Sequence, residues 1–224
     1  MTVAPRALVF DWDNTLVDSW ATIHHALTLT FTAMGHVPWT LDETKARVRQ
    51  SLREAFPALF GNRWDEARKL YLDHFTAIHL ERMAPVAGVP ELLSDVTAAG
   101  FYTAVLSNKT GAILRREVEH LGWTGYFARL VGAGDASADK PDPVAMAMAL
   151  ANRPEGEESV WYIGDTALDM ECAARAGCIG VLIGAADPAD QGFAQFPPQR
   201  QFASITELAR YLRDEPDPSS SETR

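Results

Sequence analysis

The chain has 224 residues, 47% of them hydrophobic, and a formal net charge of -10 at pH 7. That is enough apolar material for one sizeable core with a smaller unit appended. The acidic balance and the lack of a dense Lys/Arg block argue against nucleic acid or an anionic membrane as a main partner. Two cysteines in so long a chain, Cys172 and Cys178, do not make a disulfide framework and read as reduced core residues. No basic region leads into an apolar stretch of signal length and no apolar run is long enough to span a bilayer, so a cytoplasmic protein is expected.

Residues 7–18 read ALVFDWDNTLVD. The apolar run 7–10 stops at Asp11, with a second carboxylate, Asp13, two residues on. This is the pattern of a buried strand in a parallel sheet that delivers acids to its carboxyl end. Two such acids at an apolar tip repel one another and resist burial unless a cation compensates them, which predicts a divalent metal beside a nucleophilic aspartate. Residues 18–34 then carry Trp20, Ile23, Leu27 and Phe31 at helical spacing, with Asp18 or Ser19 as cap and Gly35 as stop. Helices are predicted over 41–48, 51–60 and 64–82, the last two separated by a turn at Gly61-Asn62. No strand signal appears before Pro85.

From residue 89 the character changes. Helical patterns at 90–99, 111–121, 143–151 and 166–176 alternate with apolar strands at 102–106, 129–131, 159–163 and 179–183. A short element near Phe202 precedes a last helix at 205–213, and the Pro-, Ser- and acid-rich tail 214–224 reads as disordered. Such alternation predicts an α/β fold, a parallel sheet with helices on both faces, to which the helical run before residue 85 is an insert. Polar clusters close successive strands: Asp11/Asp13, Ser107/Asn108, Lys140, and Asp165/Asp169. Because parallel strands share a direction, these ends can converge on one crevice.

DWDNT, the strand into Ser107-Asn108, Lys140-Pro141-Asp142-Pro143 and Gly164-Asp165-Thr166-Ala167-Leu168-Asp169 together resemble the four motifs of the haloacid dehalogenase superfamily, in the phosphoglycolate phosphatase-like branch. The resemblance implies a Rossmann-like core over 1–17 and 85–213 with a helical cap over 18–84. It implies a Mg2+-dependent phosphatase acting on a small phosphorylated metabolite, phosphoglycolate or a sugar phosphate. Asp11 would attack phosphorus and carry a phosphoaspartyl intermediate. Asp13 would protonate the leaving oxygen and later take a proton from water, its backbone carbonyl facing the metal. Asp165 would be a further ligand of a hard cation, with Asp169, one helical turn on, ordering metal-bound water rather than binding the ion itself. Thr166 would cap that helix.

In the same scheme Ser107 would bind a phosphoryl oxygen and Asn108 would orient Asp13 or the substrate. Lys140 would neutralise charge on the nucleophile and the phosphoryl group. From the cap, Arg47, Arg49 and Arg53 are the candidates for holding a carboxylate or second phosphate, against a plainer reading as solvated charges. Lys109 reads as a surface charge, and Trp20, Trp39, Trp64 and Trp123 as core or interface aromatics. Two positions depart from the family pattern: Trp12 and Asn14 stand where Phe and Gly are usual. Asn tolerates a left-handed backbone, so the turn should survive. Two alternatives remain open: intramolecular phosphotransfer of the β-phosphoglucomutase type, and a non-catalytic regulator that binds a phosphorylated ligand.

Overall fold

A computed structural model describes residues 5–153 and 159–214 of the chain. Six strands form one parallel sheet: β1 (Pro5–Phe10), β4 (Tyr102–Thr110), β5 (Arg129–Ala133), β6 (Ser159–Gly164), β7 (Ile179–Ile183) and β8 (Arg200–Phe202), in the order β5-β4-β1-β6-β7-β8. The predicted α/β class holds, and the near-continuous apolar runs have a simple cause. Leu8 and Phe10 of β1, Val105 of β4 and Trp161 and Ile163 of β6 face one core, whereas Val9, Ala104, Leu106 and Tyr162 face the other. Both faces are covered, so alternate residues are equally apolar.

Helices α6 (Val89–Ala98), α7 (Gly111–His120) and α10 (Ile205–Asp214) pack on the first face; α8 (Pro143–Ala149) and α9 (Ala167–Arg175) pack on the second, with Cys172 and Cys178 buried and unpaired among them. Helix α10 ends at Asp214, the first residue of the tail expected to be disordered, and the rest of that tail, 215–224, lies outside the described residues. No helix among the described residues is long and apolar enough to cross a membrane.

The helical insert follows β1. It comprises α1 (Trp20–Ala33), α2 (Leu41–Arg47), α3 (Leu52–Phe60), α4 (Trp64–Thr76) and α5 (His79–Arg82), and has a core of its own built on Leu27, Phe31, Phe56, Phe60, Tyr71 and Phe75. The predicted helix 64–82 is broken at 77–78. Both connections of the insert run through a two-stranded antiparallel ribbon, β2 (Val17–Asp18) against β3 (Ala84–Pro85), too short to leave an alternation in the sequence. The chain leaves β1 to one side for β4 and β5 and returns to its other side for β6. The insert therefore sits over the point where the strand order reverses, where crevices form in open α/β sheets.

Candidate active site

Three neighbouring strands end in the crevice. Asp11 follows β1, Ser107 and Asn108 lie near the end of β4, and Asp165 follows Gly164 at the end of β6. Past Asp11 the backbone turns tightly: the amide of Leu16 donates to the carbonyl of Trp12 (2.9 Å) and that of Asn14 to Val17 (2.6 Å). Asn14 has φ 64°, the left-handed conformation that glycine would otherwise supply, and its side chain accepts from the Ser19 amide (3.1 Å). The turn survives the replacement, as expected.

Lys140 is the electrostatic centre. It is 3% exposed, and its Nζ lies 2.7 Å from Asp11 Oδ1 and 2.8 Å from Asp169 Oδ1. Burial opposes its charge, but the two carboxylates outweigh it and hold the ammonium above the ordinary lysine range. Asn108 fixes the lysine backbone from both sides, accepting from the Lys140 amide (3.0 Å) and donating to its carbonyl (3.2 Å), beside a cis Lys140–Pro141 peptide. The Asn108 side chain thus contacts Lys140, not Asp13.

Asp169 is fully buried. Its Oδ1 accepts from Lys140 and from the Tyr162 hydroxyl (3.1 Å), and its Oδ2 accepts from the Thr166 hydroxyl (2.6 Å) and amide (3.0 Å). Burial would raise this carboxyl, and Lys140 and Thr166 together bring it below its usual range. The carboxyl occupies the space where a Cβ on residue 164 would lie, which gives Gly164 a steric reason to be glycine. Tyr162 gave no signal of its own in the sequence, being one more aromatic residue in an apolar strand.

Ligand oxygens of Asp11, Asp165 and Asp169 lie within 4.8 Å of one another. Four donors already fill the acceptor positions of Asp169, so Asp11 and Asp165 are the acids with oxygens left over. Burial, with Asp169 and Asp11 close by, pushes the Asp165 carboxyl well above its normal range. Burial also lifts Asp11 to about 7, against the opposing pull of Lys140. These are anions short of positive charge, presented as hard oxygen donors, and a divalent cation such as Mg2+ fits them.

The cavity between these residues and the insert has a volume of about 120 Å3. Asp11, Asp13, Ser107, Lys140 and Asp165 form its floor; Trp20, Ile23, Leu52, Tyr71 and Phe75 form most of the facing wall. Trp20 is therefore a half-buried cavity residue and belongs to none of the hydrophobic clusters of the described residues. The three candidate arginines part company. Arg49 lines the cavity. Arg47 is exposed, 3.4 Å from Glu43 and over the ring of Trp39. Arg53 is joined to Asp139 by two hydrogen bonds of 2.6 and 2.5 Å, tying α3 to the loop before Lys140.

One expectation is corrected outright. Lys109 is not a surface charge: its side chain is 5% exposed, and its Nζ lies 2.8 Å from Asp13 Oδ1 and 2.8 Å from Glu117 Oε2. Glu117, 2% exposed, also accepts from Trp12 Nε1 (2.6 Å) and bonds His79 Nδ1 (2.7 Å). The signal that could have found it is Glu117 itself, an acid in register with Leu114 and Val118 on the buried face of α7.

The family model described as haloacid dehalogenase-like hydrolase matches residues 8–183. A phosphoglycolate phosphatase of Aquifex aeolicus is 29% identical over 176 residues, 77% of this chain and 81% of the relative. A pyrophosphatase PpaX of Listeria monocytogenes is 26% identical over 216 residues, 96% of this chain and all of the relative. Among solved structures, a haloacid dehalogenase-like hydrolase from Bacteroides fragilis superposes with a TM-score of 0.82 at 22% identity, covering 91% of this chain and 99% of its own; that likeness concerns the fold.

Proposed function

This chain belongs to the haloacid dehalogenase-like hydrolase family, and on that premise we propose that it hydrolyses a small phosphomonoester through a phosphoaspartyl intermediate on Asp11. The observation that carries the reading is Lys140, held between Asp11 and Asp169 at the mouth of three strands. Helices α1–α5 would serve as the cap over a core made of the rest, with 18–84 as the cap's bounds. Asp11 attacks phosphorus, and Asp13 gives a proton to the leaving oxygen and then takes one from the water that frees the phosphate. Lys140, with Ser107, would stabilise the charge on the transferring group. Asp11 and Asp165, with the Asp13 carbonyl, would hold the Mg2+, which when bound supplies positive charge for the phosphoryl oxygens. Asp169 would act by holding Lys140, and the apolar wall of the insert would keep stray water out.

Phosphoglycolate is the first substrate to test, since phosphoglycolate phosphatases are among the relatives and Arg49, which lines the cavity, has the chemistry to bind a carboxylate. A second reading, hydrolysis of inorganic pyrophosphate, is favoured by the near full-length match to the Listeria enzyme. A panel of phosphoglycolate, pyrophosphate, sugar phosphates and nucleotides, run with Mg2+ and with EDTA, is the test. Metal-dependent phosphate release with a clear preference for one ester is expected. Release unaffected by EDTA, or none from any ester, would contradict the proposal.

A further inference from the structure

The group of side chains behind Asp13 has no part in the chemistry above, yet it is built at considerable cost. Burying the Glu117 carboxylate and the Lys109 ammonium takes two ions out of water, and such pairs persist only where their geometry and further hydrogen bonds compensate. Here the Glu117 carboxylate is fully engaged, whereas His79 Nε2 and Asp13 Oδ1 are buried without a hydrogen bond. Glu117 gathers partners from three separate segments: Trp12 from the tip of β1, Lys109 from the end of β4, and His79 from α5 of the insert. Lys109 extends past Glu117 to Asp13 and lies 4.7 Å from the centre of the Phe75 ring in α4. A lysine stem is ordinarily mobile; this one is held by an anion on each side and an aromatic face.

We infer that Lys109 is the positioning residue for Asp13, and that Glu117, anchored by Trp12 and His79, is what holds Lys109 in place. The inference rests on the phosphatase reading above. In the transfer step the bond between phosphorus and the leaving oxygen breaks, the phosphoryl group passes to Asp11, and the proton on Asp13 moves to that oxygen. A carboxyl one rotamer away cannot deliver it. The Lys109 ammonium pairs with Asp13 through Oδ1 at 2.8 Å, which sets the carboxyl's position. Because Phe75 and His79 belong to the insert, the holder is assembled only when α4 and α5 are seated on the core. The departure at Trp12 gains a use as well: an indole N–H anchors Glu117 where the usual Phe has no donor.

The test uses kcat/KM, which reports the steps up to loss of the leaving group. Two esters are compared: glycerol 2-phosphate, whose alkoxide needs a proton, and p-nitrophenyl phosphate, whose phenolate leaves without one. Lys109→Met is expected to lower the first by about 100-fold and the second by at most about threefold, and Lys109→Arg to recover part of the loss. Glu117→Gln is expected to lower the glycerol ester by about tenfold, again sparing the nitrophenyl ester. Equal losses on the two esters would overturn the inference, since a merely structural or phosphate-binding lysine would affect both alike. If circular dichroism shows Lys109→Met unfolded, the ratio for Glu117→Gln decides by the same rule. Wild-type protein that releases phosphate from neither of these esters nor any ester of the panel above would overturn the phosphatase reading itself, and this assignment with it.

Discussion

Burial on its own would lift the Glu117 carboxyl above the ordinary glutamate range; the bonds from His79, Lys109 and Trp12 bring it below. A depressed carboxyl contributes stability that is present above its unfolded pKa and is lost as pH falls through the folded value. Glu117→Gln should therefore destabilise the fold by about 3 kcal/mol near pH 7, because Lys109 loses a buried partner. The deficit should shrink on acidification below the ordinary glutamate range, as the wild-type carboxylate is protonated in turn. Urea denaturation of both proteins across that range checks it; a deficit independent of pH would mean that the charge of Glu117 is not what matters. The same residues mark the limit of reading a sequence. Asp11, Asp13, Lys140 and Asp165 could be picked out because each closes or follows an apolar strand. Lys109 beside Ser107-Asn108 has no pattern of its own, and its one mark is indirect, the acid Glu117 on the buried face of α7.

Among the elements, the insert was legible as a helical run but not in its attachment. The break between α4 and α5 places His79 beside Glu117, and no glycine or proline announces it. Nor could spacing show that Arg53 reaches across to Asp139, 86 positions on. That pair joins the insert to the segment carrying Lys140, with the Asp139 carboxylate buried and also accepting from the Gly134 amide. Arg53→Met should cost about 1–2 kcal/mol, the low end for a charged bond because the guanidinium is partly open to solvent. It should also raise KM more than it lowers kcat, since a loosened insert would weaken substrate capture before it disturbs the chemistry. Thermal melts and steady-state kinetics on the same preparation measure both. An unchanged melting temperature and KM would show the pair to be incidental.

For the molecule as a whole, alternating strands and helices foretold a parallel sheet with both faces covered, and two cores separated by β1 and its neighbours bear that out. Strand order was not legible, because an apolar run says that a strand is buried and not which strand lies beside it. Order matters most here, since β4 and β6 flanking β1 is what brings Ser107, Asp11 and Asp165 to one crevice. From that convergence follows the central claim, a phosphoryl group carried on Asp11. Reduction with sodium borohydride during turnover converts an acyl phosphate to an alcohol, so peptide mass mapping should find homoserine in place of aspartate at position 11, only with substrate and Mg2+ present. Turnover with Asp11 unmodified, or with the modification at another carboxylate, would contradict it.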